Sequence, residues 1–212
     1  MLVRDLGLME YGKALRIQEA IRDELISGSG KETLLVCEHP QVITVGRALG
    51  SRDEVFGKTI PIFEVSRGGR STLHLPGQVV VYPILNLATR GKDLHAYMRL
   101  LEDSITNTCS DFRVEAGRVE GKTGVWIDNE RKIASLGVAV KKWVSYHGVA
   151  LNVICDLSVF SNISPCGFES KVMTSLEKEL SETYRKTWRV RSQVLFKDVK
   201  NRLVENMLEV FN

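Results

Sequence analysis

The sequence predicts an α+β domain: a mixed, largely antiparallel sheet with flanking helices. Three observations lead there. Strand-like runs crowd the middle of the chain, helical periodicity lies to either side of them, and the links after residue 123 are short enough to imply antiparallel pairing. With several antiparallel links, an α+β domain fits better than a doubly wound parallel sheet.

Each element follows in order. Tyr11, Ala14, Ile17, Ile21 and Leu25 recur at helical steps until Gly28-Ser29-Gly30 ends the pattern. Short apolar runs at Thr33 to Cys37 and Val42 to Val45 read as strands on either side of a proline-marked turn. Residues 47–60 are polar and without period, which predicts a loop. Strand signals return at Ile62 to Val65, Thr72 to Leu75 and Val79 to Leu85, broken by Gly68-Gly69 and Pro76-Gly77. Residues 93–108 are helical, with Leu94, Tyr97, Leu101, Ile105 and Thr108 on one stripe. Gly124 to Ile127, Lys132 to Val140 and Trp143 to Val153 form a three-stranded meander. A short helix is expected within 170–180. Phe196, Val199, Leu203, Met207 and Val210 mark an amphipathic C-terminal helix. The organisation expected is one domain, 1–180, with 181–212 a helical extension packed on it.

Composition narrows the function classes. Twenty-nine basic residues against 26 acidic ones leave a net charge of +3, too little for a nucleic-acid footprint over the whole protein. Four widely spaced cysteines, Cys37, Cys109, Cys155 and Cys166, show neither a disulfide framework nor zinc-finger spacing. Cys37 and His39 alone are too few ligands for a structural zinc, so no metal is expected. No apolar run reaches the length of a membrane span and no secretory signal is legible at Met1, which reads as a reduced, cytoplasmic protein with no membrane association.

Four segments carry candidate chemistry. Arg67-Gly68-Gly69-Arg70-Ser71-Thr72-Leu73-His74 joins positive charge to a backbone that approaches a ligand closely, although a double glycine between strands is more often only a turn. Ser164-Pro165-Cys166-Gly167-Phe168 offers a thiol with room beside it, where the commoner fate of a free cysteine is burial as a small apolar residue. Lys132-Ile133-Ala134-Ser135-Leu136-Gly137 opens on a lysine. Such a residue is ordinarily a solvated flank, but a buried lysine has a lowered pKa and exchanges protons near neutrality. His147-Gly148-Val149-Ala150-Leu151-Asn152 is rich in small residues that suit either plain sheet packing or a channel for an extended chain.

Taken together and in this order, the segments resemble the octanoyl-acyl-carrier-protein:protein N-octanoyltransferases of lipoate biosynthesis. The likeness also takes in Pro76-Gly77-Gln78, Gly117-Arg118 and Thr123-Gly124-Val125-Trp126, and it leaves residues 181–212 uncovered. It implies the catalytic fold of biotin and lipoate protein ligases, Cys166 as the acyl-thioester nucleophile, and Lys132 as the residue that tunes it. Substrate contacts are implied at Arg67, Gly68, Gly69, Arg70, Ser71, Thr72, Leu73 and His74, at Ser135, Leu136 and Gly137, and at Gly148, Val149 and Ala150. The implied donor is octanoyl-acyl carrier protein. The implied acceptors are lipoyl domains of 2-oxoacid dehydrogenases and the glycine cleavage H protein. No cofactor is called for, and a monomer is expected.

Backbone N–H groups near Cys166 and in the Gly68-Gly69 loop are expected to stabilise the oxyanion. Arg47, Arg52, Arg67, Arg70, Lys141 and Lys142 are expected to steer acidic partners. Leu75 departs from the family's His-Gly-Pro-Gly-Gln pattern and is expected to narrow the pocket or alter the loop. The competing readings are an ATP-dependent ligase on the same fold, an amidotransferase between two proteins, and a non-catalytic acyl- or carrier-binding module.

Overall fold

The computed structural model describes residues 1–52, 55–56, 59–163, 172–183 and 192–211. Its frame is a seven-stranded sheet, ordered β1-β2-β6-β10-β9-β8-β7. The strands are β1 (Leu2–Leu8), β2 (Thr33–Glu38), β6 (Gln78–Ile84), β7 (Gly117–Val119), β8 (Lys122–Ile127), β9 (Arg131–Lys141) and β10 (Val144–Asn152). Only β1 and β2 run parallel; the remaining neighbours are antiparallel. A smaller sheet, ordered β4-β3-β5, is formed by β3 (Val42–Val45), β4 (Ile62–Glu64) and β5 (Thr72–His74).

Alternation along the central strands feeds two separate cores, because successive side chains leave a strand on opposite faces. Leu34 and Val36 of β2 and Val79 and Val81 of β6 face helices α2 (Leu94–Asp111) and α4 (Ser192–Phe211). Their neighbours Leu35, Cys37, Val80, Tyr82 and Ile84 face α1 (Tyr11–Ser27). Helix α1 stops at Gly28, whose φ of 82° sits in the left-handed region that ends helices. Asp93 caps α2, accepting a hydrogen bond from the Ala96 N–H at 2.9 Å. Helix α4 places Leu195, Phe196, Val199, Leu203 and Met207 in the first core, beside α2. A third cluster, around Ile43, Leu73, Phe160 and Met173, joins the small sheet to the segment on either side of residues 164–171. Helix α3 (Leu176–Thr183) follows that segment.

The α+β frame, the meander and the flanking helices match the sequence reading. Strands β1 and β7 were not legible in it, for a physical reason. Strand β1 is an edge strand whose Leu2, Val3 and Leu8 are exposed, so its place is set by backbone pairing with β2 and no alternating pattern marks it. None of the described helices is long and apolar enough to cross a membrane.

Candidate active site

Lys132 is the second residue of β9 and is only 1% exposed. Two neighbours on β8 make the slot it occupies. Trp126 lies under the amine, with Nζ 5.4 Å from the ring centroid, a cation–π contact. Gly124 leaves the space beside it: a Cβ there would stand 2.5 Å from Lys132 Cε and 2.6 Å from the Ala134 carbonyl, at a φ of +123° that disfavours any other residue. The Gly124 and Trp126 of the sequence motif are therefore both explained by the lysine between them.

The backbone at Lys132 also receives the chain that follows residues 164–171. Met173 bridges to Lys132, and the Thr174 N–H donates to the Lys132 carbonyl at 3.0 Å. Buried polar side chains hold that junction. Gln78 Nε2 donates to Asn152 Oδ1 at 2.9 Å, and Asn152 Nδ2 donates to the Thr174 carbonyl at 2.9 Å. Thr174 Oγ1 donates to Glu179, which also accepts two hydrogen bonds from Arg131 at 2.9 and 3.0 Å. Gln78 and Asn152 thus act on the placement of the chain, through hydrogen bonds that are costly to leave unmade in a buried site.

An outer cavity of about 500 Å³ opens over Lys132. Of the residues singled out in the sequence, Arg67, Gly68, Gly69, Arg70, Thr72, Lys132, Ser135, Leu136 and Gly137 line it. A smaller inner pocket shares Arg67, Thr72, Ser135, Leu136 and Gly137 with it, and is completed by His74, Gly148, Val149 and Ala150. The structure therefore brings together the segments at 67–74, 132–137 and 148–150. Two members stand apart: Leu73 is fully buried in the third core, and Ser71 is buried and lines neither cavity. Cys166 lies outside the described residues.

Several expectations need correcting. Arg67 is 5% exposed and turned inward, donating to the Thr44 carbonyl and hydroxyl (both 2.8 Å), the Gly68 carbonyl (3.0 Å) and the Arg70 carbonyl (2.7 Å). It holds the loop and does not steer a partner from the surface. The Gly68 N–H is engaged by the Val138 carbonyl at 3.0 Å, so it is not an oxyanion donor. Lys141 and Lys142 sit at the β9–β10 hairpin, roughly 30 Å of strand away from Lys132, and Lys141 pairs with Asp23 at 3.3 Å. Leu75 packs in the third core and borders neither cavity, so the change from glycine neither narrows the pocket nor forces a left-handed backbone.

Two residues missed in the sequence, Tyr11 and Tyr82, form the inner end with His147, the head of the fourth segment, which was not assigned a substrate contact. Tyr11 was hidden as the first member of an amphipathic stripe and Tyr82 as part of an apolar strand, so neither carried a separate signal. His147 does carry one in the structure, a φ of 58° in mid-strand, held by its N–H donating to Gln18 Oε1 at 2.9 Å. Burial keeps the imidazoles here neutral: it pulls His147 down to about 3, and pulls His39 and His74 below the usual histidine value. His39 Nδ1–H donates to the Met9 carbonyl at 2.6 Å, so its Nε2 accepts the Tyr82 hydroxyl at 2.7 Å. Its contact with Cys37 Sγ, at 3.5 Å, accompanies ring nitrogens that are already engaged.

The family model for the lipoyl protein ligase A/B catalytic domain matches residues 10–207. The chain is 47% identical over 180 residues to the octanoyltransferase of Geotalea uraniireducens, covering 85% of this chain and 83% of that one. It is 41% identical to the octanoyltransferase of Nitratidesulfovibrio vulgaris, covering 100% and 94%. Among solved structures, a T. acidophilum protein with bound lipoic acid superposes with a TM-score of 0.72 at 17% identity, covering 99% of this chain and 85% of that one. The biotin protein ligase of Aquifex aeolicus with biotin and ATP superposes with a TM-score of 0.53 at 15% identity, covering 98% and 71%. At these identities the superpositions speak to the fold alone, and it is the fold that the sequence predicted. With a family match that spans nearly the whole chain and close relatives at more than 40% identity, this chain belongs to the lipoyl protein ligase A/B catalytic-domain family.

Proposed function

We propose that the chain is an octanoyltransferase of lipoate biosynthesis that moves an octanoyl group from acyl carrier protein, through a thioester on Cys166, to a lysine ε-amine of a lipoyl domain. The carrying observation is Lys132: a lysine withdrawn from solvent, in a slot made by Gly124 and Trp126, lining a cavity large enough for an acyl group. Met173, seven residues after Cys166 in the sequence, pairs with that same lysine. The other three cysteines are poor candidates, since burial raises all their thiols, Cys109 and Cys155 to about 12.

The chemistry divides into two acyl transfers. The Cys166 thiol gives its proton to Lys132, and the thiolate attacks the thioester carbonyl of the donor. The tetrahedral oxyanion collapses, the C–S bond to the carrier's phosphopantetheine breaks, and the Lys132 ammonium returns the proton to the departing thiolate. In the second half, the acceptor lysine amine attacks the Cys166 thioester. Its proton passes to the neutral Lys132 amine, the amide forms, and Cys166 leaves as a thiolate that is then reprotonated. Thioester gives way to amide, so the direction needs no ATP.

The donor is the octanoyl-carrier protein. The acceptors are the lipoyl domains of 2-oxoacid dehydrogenases and the glycine cleavage H protein, met by a monomeric enzyme whose Cys166, Lys132 and cavity-lining residues at 67–74, 135–137 and 148–150 carry the reaction. Intact-mass measurement after mixing with octanoyl-carrier protein tests it. A gain of one octanoyl group, removed by hydroxylamine and missing in Cys166→Ala, is expected. Exchange of labelled pyrophosphate into ATP that depends on free octanoate would replace this reading with that of a ligase.

A further inference from the structure

The inner pocket, of about 20 Å³, adjoins the outer cavity across Arg67, Thr72, Ser135, Leu136 and Gly137. On β9, Ser135 to Gly137 borders both, while Lys132, roughly 10 Å of extended strand before Ser135, borders the outer cavity. Beyond the inner pocket, on the outside of the molecule, lies a separate groove of about 410 Å³ bounded by Gly12, Arg16, Pro40, Val42 and Phe63. Tyr11 lines both this groove and the inner pocket, so its ring stands between them.

That partition is held on three sides. The Tyr11 ring stacks on His74 with centroids 5.9 Å apart, meets His39 edge-on at 5.3 Å, and packs against Phe63 at 5.4 Å. The residue is 4% exposed. The floor it forms is polar. The Tyr11 hydroxyl stands 3.4 Å from His147 Nδ1, and among the described residues His74 Nδ1 is buried with no hydrogen-bond partner. A methyl or methylene group pressed onto these atoms covers them without replacing a hydrogen bond, which is the unfavourable way to desolvate a polar group.

We propose that Tyr11, with His74 beside it, closes the blind end of the acyl pocket and sets the upper limit on acyl chain length. This rests on the octanoyl-transfer reading and makes Tyr11 a specificity-determining residue for it. Medium saturated acyl thioesters end short of the floor. Longer ones have to push the ring aside, against Phe63 and His39, and lay methylenes over the unpartnered imidazole nitrogen. Removing the ring joins the pocket to the outer groove and gives a long chain a way through.

The test measures kcat/KM for carrier-protein thioesters from hexanoyl to hexadecanoyl, with the wild-type protein, Tyr11→Ala and Tyr11→Leu. The wild type is expected to fall steeply beyond one chain length. In Tyr11→Ala the ratio of tetradecanoyl to octanoyl transfer is expected to rise by about tenfold or more, the scale on which a few methylenes in an apolar site are discriminated. Tyr11→Leu, which keeps an apolar side chain in the helix stripe, is expected to shift the ratio the same way by less. A wild-type profile that stays flat to hexadecanoyl overturns the inference without reference to any variant. So does an unchanged ratio in either variant whose circular dichroism matches wild type. Absence of transfer by the wild type from every donor would instead remove the parent function, and this inference with it.

Discussion

Arg67 and Lys132 are both basic side chains withdrawn from solvent, at 5% and 1% exposure, and both line the same cavity. Each has its own glycine. A Cβ at Gly137 would stand 2.8 Å from Arg67 Cδ, as one at Gly124 would stand 2.5 Å from Lys132 Cε. Beyond that they differ. The Arg67 guanidinium is surrounded by carbonyls of its own loop and of β3, at 2.7 to 3.0 Å, that fit its fixed fork of donors. Lys132 carries a single nitrogen on a flexible stem, laid over an aromatic face and bordering the cavity. Arg67 holds the wall of the cavity through carbonyls, and Lys132 borders the same cavity over an aromatic face.

Substitutions at three positions sharpen or break that contrast. The largest effect is expected for Lys132→Ala, with kcat for octanoyl transfer down on the order of 10²–10⁴-fold, the scale of a lost general acid–base group. Its thermal midpoint should stay near wild type. Lys132→Arg should not rescue, because a guanidinium does not give up its proton. Near-normal turnover in Lys132→Ala removes the lysine from the chemistry.

Arg67→Ala is expected to act the other way round. It leaves the buried Thr44 carbonyl and hydroxyl and two part-buried loop carbonyls without this donor, and should cost on the order of 3 kcal/mol of folding free energy in a denaturant titration. Loss of turnover there should follow loss of structure. An Arg67→Ala protein with wild-type stability and no activity would break the distinction between the two basic residues.

The smallest effect is expected for Gly124→Ala. The added methyl meets Lys132 Cε and the Ala134 carbonyl and sits at a φ of +123°, so a stability loss of about 1–2 kcal/mol should accompany a fall in kcat larger than any change in KM. Equal changes in kcat and KM would show that the slot shapes the cavity without placing the amine.

The relatives add a second contrast, between fold and reaction. Solved structures of lipoate and biotin ligases share the fold at 13–19% identity, whereas the curated octanoyltransferases share 41–48% of their residues with this chain. The shared frame positions a pocket at the sheet and says little about how the acyl group is activated. The residues at the pocket carry that information.

What the sequence by itself determined was whatever depends on near neighbours. Helical steps from Tyr11 to Leu25 located α1, and Gly28 ended it, because a stripe and a left-handed cap are local properties. The same locality made β1 illegible, since an exposed edge strand is set by its partner. Motif order located Lys132, Gly124 and the 67–74 loop, yet not what each does. Tertiary structure alone decided that Arg67 turns inward to Thr44, that Leu75 leaves the pocket for the third core, and that Tyr11 from the first helix meets His74 and Tyr82 from distant strands at the pocket's inner end. Side-chain direction and long-range contact follow from packing and hydrogen bonding across the sheet, and no spacing along the chain encodes them.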